Sequence, residues 1–141
     1  MKILARIEPT WPLRIGVGFM YLYSGHDLLT SPTAWHWALP FWLQQLIMTV
    51  MPIDVYLRIQ GAVELLMAIV LLGWFMKSKL VKLVAILSTL EMAAILILAL
   101  IPYSETNFLI TFRDLGLLGG SLSLAAMLSQ EKPVQEDSLQ P

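Results

Sequence analysis

Residues 53–75 read IDVYLRIQGAVELLMAIVLLGWF, and residues 80–101 read LVKLVAILSTLEMAAILILALI. Each run is close to the twenty or so residues that a helix needs to cross the hydrocarbon of a bilayer. Two further runs flank them. One covers 13–29, after Trp11 and Pro12, where proline suits a helix start because its missing N–H would be unpaired there. The other covers about 108–128. Four spans account for most of the chain, so the expected fold is all-α, an integral membrane four-helix transmembrane bundle. Composition agrees: 57% of the 141 residues are hydrophobic, only 13% are charged, and the mean hydropathy is +0.72, where soluble domains carry about a quarter charged.

A signal peptide is the rival reading of the first run. Arg14, His26 and Asp27 interrupt its apolar core, and no small-x-small cleavage site follows, which favours a retained helix. The remaining divisions are a cytoplasmic segment 1–12, an outer interfacial segment 33–51 and a polar cytoplasmic tail 129–141 expected to be disordered. Trp35, Trp37, Phe41 and Trp42 crowd the interfacial segment, and Pro40 interrupts any helix within it.

Composition also excludes function classes. The net charge is −1 and the nine Lys and Arg are scattered, so no basic surface for nucleic acid exists. The absence of cysteine removes disulfides, thiolate nucleophiles, iron–sulfur clusters and Cys-ligated zinc. Redox chemistry would need a bound cofactor, and no metal is expected. No phosphate loop, H-E-x-x-H or G-x-S-x-G motif is present.

Basic residues set the expected orientation. Lys2, Arg6, Arg14, Lys77, Lys79, Lys82 and Lys132 fall on one side of four alternating helices, and Arg58 and Arg113 on the other. The positive-inside rule places both termini in the cytoplasm. Trp11 and Trp74 then mark the inner interface, with Trp35, Trp37, Trp42, Tyr56 and Tyr103 at the outer one.

Threading the helices in this way gathers His26, Asp27, Arg58, Glu64, Glu91, Arg113 and Asp114 in the outer half or at the midplane. A charge at the midplane costs roughly 2.5–3.5 kcal/mol on insertion scales, so these groups should face the bundle interior and pair. Two readings stand open. In one, the charges form a structural salt-bridge network that fixes helix register. In the other, Glu64 and Glu91 are proton carriers for a bound substrate such as a quinone, with Arg58 and Arg113 holding them electrostatically. His26 and Asp27 are adjacent in a helix and point about 100° apart, which argues against an acid–base pair. His36 reads as an interfacial side chain.

Small residues suggest close helix contacts. Gly116 and Gly120 form G-x-x-x-G, a face for a neighbouring helix or a second copy of the chain, and Arg14, Gly18 and Gly25 share one face of the first helix. Tyr21 and Tyr23 read as core or as cavity lining.

The pieces Leu13-Arg-Ile-Gly16 with Phe19 and Gly25, Gly61-Ala-Val-Glu64-Leu-Leu, and Arg113-Asp114-Leu-Gly-Leu-Leu-Gly119 resemble the DoxX family of small four-helix membrane proteins. The resemblance covers about 13–128. His26-Asp27 departs from the family, which often has a basic residue after the first helix's glycine. The family takes its name from a subunit of a thiosulfate:quinone oxidoreductase. The resemblance therefore implies a quinone- or lipid-binding subunit associated with a membrane oxidoreductase and a separate redox partner. The alternative is a non-catalytic membrane scaffold. A small-solute carrier fits less well, because no helix is interrupted at the midplane.

Overall fold

The computed structural model describes residues 8–99 and 114–130. Among them the regular structure is entirely helical. α1 spans Thr10–Thr30, a 3₁₀ helix spans Pro32–Ala38, and α2, α3, α4 and α5 span Phe41–Met48, Ile53–Leu72, Ser78–Ala99 and Asp114–Gln130. The expected cytoplasmic segments lie largely, and Arg113, Tyr103 and the stretch 108–113 wholly, outside the described residues.

α1 begins three residues before the expected start at Leu13, because Pro12 is accommodated in its first turn. Thr10 Oγ1 donates to Glu8 Oε1 at 2.6 Å just ahead of that turn. At the other end Ser31 N–H donates to Asp27 O, and Pro32 cannot continue the ladder. The expected break at Pro40 is present. Leu39 before it is extended (φ −101°, ψ 125°), as the residue preceding proline prefers, and α2 starts immediately after. The 3₁₀ helix and α2 therefore form a strap rather than one continuous element.

The four long helices close a ring in the order α1, α3, α4, α5. The buried residues of α1, among them Arg14, Val17, Gly18, Tyr21, Gly25 and Leu28, recur every three or four positions and so form one stripe. α3 carries a matching stripe from Ile53 to Leu71 that includes Gly61 and Glu64. The shared core draws Tyr21, Leu71, Val81 and Leu124 from all four helices. A smaller cluster of Leu28, Ile53 and Leu57 lies under the strap, packed by Trp35, Leu39 and Tyr56.

α1 and α3 touch most closely at Gly25 and Gly61. A Cβ on Gly61 would lie 2.7 Å from the Gly25 carbonyl oxygen, and one on Gly25 would lie 2.8 Å from the Gly61 oxygen. Backbone cannot yield as a side chain can, so only glycine permits this crossing. Gly116, by contrast, would place a Cβ in open space, and Gly120 makes ordinary contact with Val17 at 3.8 Å. Close approach within the chain thus belongs to Gly25 and Gly61 and not to the G-x-x-x-G pair.

Two arginines tie the antiparallel α1 and α3 end to end. Arg14 donates from Nε to the Leu71 carbonyl at 2.8 Å and from Nη2 to the Gly73 carbonyl at 2.7 Å, while its guanidinium lies 4.2 Å from the Trp11 ring centre. Arg58 Nη1 donates to the Leu29 carbonyl at 2.9 Å. Each binds carbonyls at the C-terminal end of the other helix, where positive charge also suits the helix dipole.

Two helices among the described residues, Ile53–Leu72 and Ser78–Leu98, are long and apolar enough to cross a membrane. Only 33% and 28% of their apolar windows are buried inside the protein. Leu66 and Leu90 are 64% and 62% exposed, so these helices turn apolar surface outward.

Candidate functional site

Three helices send polar side chains toward one point, each as a pair spaced by three or four residues. α1 contributes Tyr21 and Ser24, α3 contributes Gln60 and Glu64, and α4 contributes Ser88 and Glu91. That spacing puts both members of each pair on one helix face. Tyr21 is fully buried and reaches across the bundle from α1 to α4. Its hydroxyl donates to Glu91 Oε2 at 2.6 Å and shares a hydrogen bond with Ser88 Oγ at 2.9 Å. The Gln60 amide donates to the other oxygen, Glu91 Oε1. Ser24 donates to Glu64 Oε2, and Glu64 itself is only 7% exposed. Every buried side-chain polar atom among the described residues has a partner.

Both acids are thus held by neutral donors. The arginine assigned to them by the sequence reading does something else: Arg58 is exposed and bonded to Leu29, away from Glu64. The reason is angular. Six helical residues turn about 600°, which leaves Arg58 and Glu64 about 120° apart around α3. Arg113 lies outside the described residues. Asp27 accepts a hydrogen bond from Trp35 Nε1 at 2.8 Å and so anchors the strap, while the adjacent His26 is exposed. His36, expected as a lone interfacial side chain, pairs with Asp54 at 2.7 Å, both half-exposed. The Gln44 amide holds the strap in shape through the carbonyls of His36 and Leu39.

Glu64, Glu91 and Asp114 are brought to the wall of one cavity of about 480 Å³. That volume lies within the range of small-molecule sites. α3 and α4 supply its floor through Gln60, Glu64, Met67 and Glu91, and the strap supplies Trp35, Trp37 and Leu43 on the opposite wall. The Trp35 and Trp37 rings stack at 6.3 Å and 19° between planes. The lining is mostly apolar, with a few convergent polar groups.

Glu64, Glu91 and Asp114 stand out in the sequence, whereas Tyr21, Ser24 and Gln60, which donate to Glu64 and Glu91, and Ser88, which bonds Tyr21, do not. A signal was available in part: Gln60 lies four residues before Glu64, and Ser88 three before Glu91. The contribution of Tyr21 depends on helix packing alone.

The geometry defines an all-helical protein with an acid-floored, aromatic-walled cavity beside a ring of four helices. No family model matches the chain, and no curated protein or solved structure matches it.

Proposed function

We propose that this protein is a multi-pass membrane protein, built as a four-helix transmembrane bundle, that binds a quinone or similar amphipathic lipid in the cavity beneath the strap. Its place is the prokaryotic inner membrane, both termini cytoplasmic, beside an oxidoreductase partner. Glu64 and Glu91 exchange protons with the bound head group, and the apolar walls take the body of the ligand. The observation that carries this reading is the convergence of two carboxyl groups, Glu64 buried and Glu91 partly buried, on one mostly apolar cavity, since ionisable groups at membrane depth face functional cavities or pair. The outward apolar surfaces of α3 and α4 support the membrane setting.

Mass spectrometry of the organic extract from protein purified gently out of its native membrane tests the reading. Quinone enriched near stoichiometry in the wild type and lost in an equally well folded Glu64→Gln/Glu91→Gln variant is expected. Only bulk lipid in both would overturn it. The hydrogen-bonded acids would then act as a register-fixing network in a membrane scaffold.

A further inference from the structure

We propose that the same cavity binds amphipathic organic monocations, with an aromatic or apolar body against Trp35, Trp37 and Tyr56 and the positive head at Glu64 and Glu91. The proposal rests on the reading of the cavity as a ligand site in a membrane-embedded bundle, and it names a second ligand class for that site.

The charge inventory of the wall is one-sided. Its acidic side chains are Glu64, Glu91 and Asp114, beside the neutral Gln60, Tyr56, Trp35 and Trp37, and among the described residues no Lys, Arg or His lines it. Arg58, two residues before Gln60 and so on a different face of α3, spends its guanidinium on the Leu29 carbonyl and is exposed. The donors that do reach the two acids, from Tyr21, Ser24 and Gln60, are neutral. They orient the carboxyl groups and stabilise negative charge without cancelling it. In a low-dielectric interior such a charge is relieved either by a proton or by a positive partner, and a bound cation competes with the proton for the same oxygens. An organic cation with an apolar body supplies it at a smaller desolvation penalty than a compact ion, because its charge is spread and weakly hydrated. The aromatic lining suits the same ligand: the stacked indole rings of the strap and Tyr56 of α3 border the same cavity, and aromatic faces attract cations within about 6 Å. A site for an anion would place donors or bases here, and this wall offers acids.

The test uses full-length protein in nanodiscs of zwitterionic phosphatidylcholine and two probes of the same shape and opposite charge, tetraphenylphosphonium and tetraphenylborate, with empty nanodiscs subtracted. The expected result is saturable binding of the cation about tenfold or more tighter than the anion, with that preference abolished in Glu64→Gln/Glu91→Gln. Leu43→Lys adds a charge to the strap wall outside the main core and covers the case in which the double variant fails to fold. It should weaken cation binding about tenfold while the anion is unaffected or tightened. Equal binding of the two ions, or a cation preference unmoved by these substitutions, overturns the inference. A short-chain benzoquinone assayed in parallel separates the two levels. Quinone binding without cation preference leaves the cavity a ligand site and removes only the cation. Binding of none of the three removes both.

Discussion

Replacing Gly61 by alanine tests the contact on which the α1–α3 pair depends. The new Cβ would sit 2.7 Å from the Gly25 carbonyl oxygen, 2.8 Å from Leu28 Cβ and 3.2 Å from Leu29 N. Carbon meets a carbonyl oxygen at about 3.3 Å at the closest, so the helices must separate by about 0.6 Å along a packed interface. Overpacking of this kind costs about 1–3 kcal/mol. Alanine recovers at most about 1 kcal/mol of helix propensity over glycine, and less where the denatured state in detergent keeps its helices. A net loss of about 1–2 kcal/mol is expected. Gly16 and Gly116 are internal controls, since a Cβ at either meets nothing within 4 Å. Gly16→Ala and Gly116→Ala should be neutral or stabilising by up to about 1 kcal/mol. Denaturant titration in mild detergent, followed by tryptophan fluorescence, measures all three. If Gly61→Ala proves as stable as Gly116→Ala, the backbones of α1 and α3 do not meet at that point and the assigned crossing is wrong.

Tyr21→Phe removes a hydroxyl that serves Glu91 and Ser88 at a fully buried position. A loss of about 1–3 kcal/mol is expected, and a double-mutant cycle with Glu91→Gln in the same titration should show coupling of at least about 0.5 kcal/mol; additive effects would deny the bond. Arg14→Leu leaves the Leu71 and Gly73 carbonyls without their shared donor, and charge-assisted bonds of this type are worth about 1.5–3 kcal/mol each. Arg14→Lys, with a single ammonium in place of the planar fork, should recover only part of the loss in melting temperature; full recovery would mean that charge alone matters.

Much of the architecture is legible in the sequence because apolar runs of a given length have few structural solutions. The windows 53–75 and 80–101 anticipate α3 and most of α4, and Pro40 anticipates the break between the 3₁₀ helix and α2. Boundaries are less legible. Pro12 marks a helix start in the sequence, but Thr10 and Trp11 ahead of it also belong to the first turn of α1, because the first N–H groups of a helix need no intrahelical partner. Within the site, Glu64 and Glu91 declare themselves as acids inside long apolar helices. Tyr21, Ser24, Gln60 and Ser88 do not, because neutral polar side chains are common in apolar helices and nothing local says which of them face an acid on another helix. Arg58 misleads for the same reason: nearness along the chain suggests Glu64, whereas the face it occupies leads to Leu29.

The arginines and the acids are best understood together. Leu13-Arg14-Ile15 and Leu57-Arg58-Ile59 stand near the starts of the two helices that cross at glycine, and each arginine binds the carbonyl end of the other helix. This use of the guanidinium groups fastens the pair at both ends while keeping positive charge out of the space between α3 and α4. Had either arginine paired with Glu64 or Glu91, the acids would be locked in a closed ion pair with little reason to engage a ligand. With neutral donors instead, they keep fixed positions and an open electrostatic demand, beside a cavity that offers room and apolar contact. The division of labour places the arginines at the helix ends and leaves the acids to neutral donors.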